Sequence, residues 1–163
     1  MVRKFMLAAA FIVAVAAPAY AKNYALPEKN PVATVVIPDS WEVEESDYGY
    51  SATSPDEDVI FSIESASASR VDKMIEANLK WMNDQEIVPK GKAVEEDVNI
   101  NGFPAKVYSY KATDPEGDTL IEFVMMPAGN GRVLLLTFWG SQEARDENKA
   151  DISNIIMSVK PIN

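Results

Sequence analysis

The sequence predicts an α+β domain, one antiparallel sheet with a helix on each face. Three observations predict it. Between residues 92 and 139 four extended runs follow one another, separated by turn signals. Two other segments, residues 70–85 and the stretch from Ser141 onward, carry apolar residues at helical spacing. The last two extended runs, residues 120–126 and 133–139, are apolar on both faces, which places them mid-sheet under helices on either side.

Each element has a local reason. Residues 22–31 are polar, contain Pro27 and Pro31, and read as an extended N-terminal arm. Residues 32–37 are β-branched, a strand ended by Pro38-Asp39-Ser40, and residues 48–53 form a second. Ser54-Pro55-Asp56-Glu57-Asp58 is a turn. Alternation over residues 59–65 then puts Val59, Phe61 and Ile63 on one face and Ile60, Ser62 and Glu64 on the other. Ser69-Arg70-Val71-Asp72 matches a capping box, and Val71, Met74, Ile75, Leu79 and Met82 follow as an amphipathic stripe. This predicts a helix over residues 70–85, with Pro89 and Gly91 marking its exit.

A four-stranded meander follows. Residues 92–100 reach Asn101-Gly102, a pair suited to the positive φ angles of a two-residue hairpin. Residues 103–112 return, Asp114-Pro115-Glu116-Gly117 turns, residues 119–126 go out, and Gly129-Asn130-Gly131 turns again into residues 132–139. In the closing helix Ile152, Ile155, Ile156 and Val159 form one stripe, and Pro161 ends it.

Residues 1–21 read as a cleaved export signal. Arg3 and Lys4 precede a 13-residue apolar run, residues 5–17, which is shorter than the ~20 residues of a membrane-spanning helix. Pro18 breaks the run, and Ala19 and Ala21 are the small residues that signal peptidase recognises, with the cut after Ala21. The expected organisation is therefore a signal over residues 1–21, the arm over 22–31 and a single domain over 32–163. In a bacterium with two membranes the destination is the periplasm, with no membrane anchor after cleavage.

Composition closes several chemistries. The chain carries −10 formal charge, and without Arg3 and Lys4 the remainder holds 13 Lys+Arg against 25 Asp+Glu, near −12. That field repels phosphate backbones, so nucleic acid is excluded as a partner and cations or basic protein patches are favoured. There is no cysteine, so disulfides, thiol catalysis, iron–sulfur clusters and a lipid-bearing cysteine are all closed. There is no histidine, which removes the commonest general base and the commonest zinc ligand. No cofactor is expected.

Several segments resemble the PsbP-like superfamily, the group that includes the extrinsic PsbP protein of photosystem II, the Ran-binding Mog protein and bacterial DcrB-type exported proteins. They are Val36-Ile37-Pro38 before Trp41, Asn101-Gly102-Phe103-Pro104-Ala105, Gly131-Arg132-Val133-Leu134, and Ile155-Ile156-Met157-Ser158-Val159-Lys160-Pro161. The resemblance spans residues 32–161. It implies a compact α/β/α sandwich serving as a binding or assembly module, and it transfers no catalytic residue.

Three groups of residues are candidate sites. Glu122, inside an apolar strand, and Glu64, on another, would form a glycoside-hydrolysing pair if they faced one cleft. Asp114, Glu116 and Asp118 offer three carboxylates to a cation such as calcium, although a solvated hairpin turn explains the same residues. The Asp56-Glu57-Asp58 run reads as solvated. Tyr108 with Tyr110, and Tyr48 with Tyr50, are each expected to share a strand face, as cross-strand packing or as an aromatic platform. The leading expectation is a soluble, exported, non-catalytic module that binds a protein or a small ligand. The alternatives are a carboxylate-dependent hydrolase using Glu122 and Glu64, and a calcium-responsive module using the 114–118 loop.

Overall fold

The computed structural model describes residues 21–27, 29–67 and 69–162; of the expected leader only Ala21 falls among them. Along the chain run β1 (Ala21–Leu26), β2 (Ala33–Pro38), β3 (Glu42–Glu45), β4 (Gly49–Thr53), β5 (Ile60–Ser67), α1 (Val71–Asp84), β6 (Val88–Ile100), β7 (Phe103–Asp114), β8 (Gly117–Ala128), β9 (Arg132–Gly140), α2 (Gln142–Glu147), α3 (Lys149–Ser158) and β10 (Lys160–Pro161). Seven strands form a large antiparallel sheet in the order β3-β4-β5-β9-β8-β7-β6. A second, three-stranded sheet has the order β1-β2-β10.

The predicted class holds, with one addition. The large sheet has α1 on one face. On the other lie α3 and the small sheet, which the sequence reading did not anticipate. The first part of the expected extended arm, together with Ala21, forms β1, paired with β2 from Ala21↔Pro38 to Leu26↔Ala33. Leu26 is wholly buried there, and that burial is what recruits the segment. At the other end Lys160 and Pro161 add to β2 opposite Thr34 and Ala33.

Register assigns the faces. Phe138 is opposite Phe61 on β5 and Glu122 on β8, and Leu136 is opposite Ile63 and Val124. That inner face meets Val35 and Ile37 of β2 and Ile152 and Ile155 of α3 in the main core. Phe61 and Phe138 stack with centroids 4.8 Å apart. Burying each side chain of this size is worth about 1.5–3 kcal/mol. Gly49 is required where the sheets close, since a Cβ there would lie 2.0 Å from the Ile63 carbonyl oxygen. The outer face presents Ala66, Leu135, Ile121 and Trp139 to α1.

Local departures have local causes. Ser69 does not cap α1: the N-cap is Arg70, which makes no side-chain cap bond, and the Ser69 hydroxyl faces that of Ser67 at 3.1 Å. The buried stripe of α1 is Met74, Asn78 and Met82, while Leu79 is 59% exposed, because the helix leans on the sheet along the 74–78–82 line. Pro89 and Gly91 lie inside β6, where an edge strand tolerates a missing donor and a register shift between Lys90 and Val94. The final helix is broken at Asn148 into α2 and α3. The Asn101-Gly102 hairpin is as expected, with φ of 54° and 88°. Its Asn101 side chain also donates to the carbonyls of Met157 and Val159 at the end of α3.

Candidate functional site

Helix α1 touches the outer face through two apolar clusters. Met74 packs with Ala66 and Leu135 near one end. Met82 packs with Ile87, Ala112 and Ile121 at the other, flanked by Trp81 and Trp139 at 5.6 Å, edge to face. Between the clusters the sequence places short side chains, Ser51 on β4, Ser62 on β5 and Ala77 on the helix. These leave a crevice of about 210 Å³, bounded also by Ile60, Glu64, Asn78, Trp81 and Thr137.

Its polar groups are unusual in their accounting. Glu64 is only 8% exposed. Asn78 Nδ2 donates to Glu64 Oε2 at 2.5 Å and to the Met74 carbonyl at 3.1 Å. Burial holds the Glu64 carboxyl above its ordinary range, and the Asn78 bond opposes that shift. Thr137, 2% exposed, keeps its Oγ1 with no hydrogen-bond partner among the described residues. Such an orphaned group costs about 1–3 kcal/mol. The crevice therefore holds one ionisable group and one unsatisfied hydroxyl.

A second, larger cleft of about 510 Å³ adjoins it, the two sharing Ile60. Glu57, Asp58, Asp114, Glu116 and Asp118 line it around Trp139, giving a strongly negative mouth.

The hydrolase constellation is not formed. Glu64 is opposite Leu135 on β9, whereas Glu122 is opposite Phe138, three residues further on. Side chains alternate along a strand, so the two carboxylates project from opposite faces of the sheet. Glu122 is held by Arg145 of α2 and accepts from Ser109 Oγ at 3.1 Å.

The 114–118 loop does not converge on a cation either. Asp114 Oδ1 accepts the amides of Glu116 and Gly117 at 2.9 and 3.1 Å, and Oδ2 accepts Trp139 Nε1 at 3.2 Å. Asp118 pairs with Lys90 at 2.7 Å, and that lysine lowers its carboxyl pKa. Among the described residues no group of three or more acidic side chains is placed to hold a metal ion. In the 56–58 run Asp56 is engaged, bonded to the Ser54 hydroxyl and to Asn148 Nδ2, which depress its pKa.

The tyrosine pairs divide. Tyr108 and Tyr110 share the outer face, opposite Phe123 and Ile121, and Tyr110 packs edge to face with Phe123. Tyr48 and Tyr50 do not share a face. Tyr48 precedes β4 and packs with the Met74 cluster, while Tyr50 joins the main core against Tyr24.

Sequence reasoning missed Asn78, Thr137, Ser51 and Ser62. The signals were present: an asparagine at i+4 between two buried methionines, and a threonine inside an otherwise apolar strand. What could not be read was that β9 and α1 bring them to one gap.

No protein-family model matches the sequence, and no curated protein matches it. Solved structures do. Cyanobacterial PsbP (CyanoP) from Synechocystis superposes with a TM-score of 0.60 at 10% identity, over 96% of this chain and 99% of that one. The fold is PsbP-like. A Bacteroides thetaiotaomicron structure gives 0.53 at 13% identity, over 81% of this chain and 46% of its own length. A Pseudomonas aeruginosa protein of unknown function, a putative regulator, gives 0.47 at 18% identity, over 88% of this chain and 99% of that one. Among the described residues no helix is long and apolar enough to cross a membrane.

Proposed function

We propose that this chain is an exported, soluble binding module that holds a ligand under α1 and catalyses nothing; in a bacterium with two membranes it works in the periplasm. The crevice with its orphaned Thr137 hydroxyl carries the reading. A natural core closes a gap of this kind or satisfies its polar groups, and this one does neither. The non-catalytic part rests on the chemistry available. Glu64 is the sole ionisable side chain on the crevice walls, with no second acid, base or nucleophile of matched reactivity beside it. The exported part rests on the leader sequence.

Two experiments test it. The full chain with a C-terminal tag is produced in a two-membrane bacterium and fractionated; the expected product is periplasmic and begins at Lys22. Purified protein is then screened against a library of small fragments by ¹H–¹⁵N NMR. Binders that shift the amides of Glu64, Asn78 and Thr137 together are expected. A library that leaves those three amides unmoved overturns the ligand site, and an uncleaved cytoplasmic product overturns the address.

A further inference from the structure

The adjoining cleft gives the crevice an electrical sign, and its walls give it a chemistry. Glu64 Oε2 is taken by Asn78, while its second oxygen has no partner among the described residues. Thr137 Oγ1 is a buried acceptor with nothing to accept from. Ser62 and Ser51 lie on the same sheet face, opposite Thr137 and opposite each other in the register. The walls thus offer several converging acceptors and only one charge, which is negative. Trp81 supplies an aromatic wall and Ile60 and Ala77 an apolar one.

We propose that the crevice binds a small organic amine, with Glu64 as counter-ion, Thr137 Oγ1 as a second acceptor for the ammonium, and Trp81 against its apolar body. This rests on the reading that the crevice is a ligand site.

Size follows from volume. At about 30 Å³ per water-sized unit of liquid volume, 210 Å³ holds roughly seven non-hydrogen atoms. An alicyclic amine such as cyclohexylamine fills it. Sign follows from the neighbouring cleft, where Glu57, Asp58, Asp114 and Glu116 outweigh the Asp118–Lys90 pair, repelling anions and concentrating cations at the mouth. An ammonium carries three donors, enough for the free Glu64 oxygen, Thr137 and a serine. Burying it without a partner would be prohibitive, and Glu64 is that partner. Trp81, with Ile60 and Ala77, gives the alicyclic body an apolar wall to pack on. The raised carboxyl pKa of Glu64 agrees with an acid whose counter-charge comes from a ligand. Of the other charged groups on these elements, Glu42, Glu44 and Glu45 on β3 and Asp72, Lys73, Glu76, Lys80 and Asp84 on α1 are exposed, and Arg132 on β9 is half-buried and donates to the Ser65 hydroxyl and carbonyl.

Cyclohexylamine, cyclohexanol and cyclohexanecarboxylate are isosteric probes of this assignment. The full-length protein is titrated with each at pH 7.5, following the Glu64, Asn78 and Thr137 amides. The amine is expected to bind at least tenfold more tightly than the alcohol, and the carboxylate not at all. Glu64→Gln keeps the shape and the Asn78 contact, and is expected to cost the amine tenfold or more while leaving the alcohol unchanged. Equal affinity for amine and alcohol, or an amine affinity untouched by Glu64→Gln, overturns the amine assignment and leaves the ligand site standing. If none of the three probes, and no fragment of the wider library, moves those amides, both readings fall.

Discussion

Asn78→Ala isolates the one polar contact that keeps Glu64 inside the protein. The substitution removes the 2.5 Å donor to Glu64 Oε2 and a 3.1 Å bond to the Met74 carbonyl. A hydrogen bond to a charged group is worth about 1.5–3 kcal/mol, against about 1 kcal/mol for a neutral pair. The cost therefore depends on whether Glu64 is ionised. Burial raises its folded pKa above the ordinary value of 4.5. The stability it contributes is complete below that ordinary value and is lost as pH rises through the folded one. Asn78→Ala removes the only opposing contribution, so the loss with rising pH becomes steeper. At pH 8 the variant should lose about 1.5–3 kcal/mol, and at pH 4.5 about 1 kcal/mol. At roughly 3 °C per kcal/mol for a chain of this size, the melting midpoint falls by about 5–9 °C at pH 8. Urea unfolding followed by tryptophan fluorescence measures both. In a Glu64→Gln background the same substitution should cost about 1 kcal/mol at either pH. A cost that is the same at both pH values, or the same in both backgrounds, refutes the coupling.

Two further outcomes follow from contacts across the inner face. Ser158→Ala should cost about 1–3 kcal/mol and speed hydrogen exchange at Val36, because the Ser158 hydroxyl accepts the Val36 amide at 2.8 Å. The exposed Ser153→Ala serves as control, and equal exchange in both variants would count against the contact. Arg145→Met should cost about 1–3 kcal/mol by leaving the part-exposed Glu122 without its guanidinium, and adding Glu122→Leu should recover most of it. A thermal melt of the double variant no better than the single would show that the pair is not the source of the loss.

How much of this was readable in the residues depends on distance along the chain. The Asn101-Gly102 hairpin, the alternation of β5 and the Ile152-Ile155-Val159 stripe are local patterns, and each folds as its spacing implies. β1 and β10 were not legible, because both exist only by pairing with β2 and neither has a strong pattern of its own. Ser69 illustrates the opposite failure: a correct local motif lost to a helix that begins one residue later. The separation of Glu64 from Glu122 was fixed by register across β5, β9 and β8, a relation between three strands that no single strand displays. Asn78 looked like an ordinary polar residue in a helix until the sheet behind it was known.

The pairing of β10 with β2 also has a meaning in time. Val36 finds its hydroxyl partner 122 residues later, and Ala33 and Thr34, already paired on one side with Leu26 and Ala25 of β1, gain their second strand partner only with β10. The pocket around Leu26, Val35 and Ile37 therefore cannot seal until Ile155 and Val159 have arrived. Contacts of such long reach form slowly, since the intervening loop must be closed first. A core closed by its most distant segments leaves the β2 strand unsealed, and open to exchange, until α3 and β10 have docked on it.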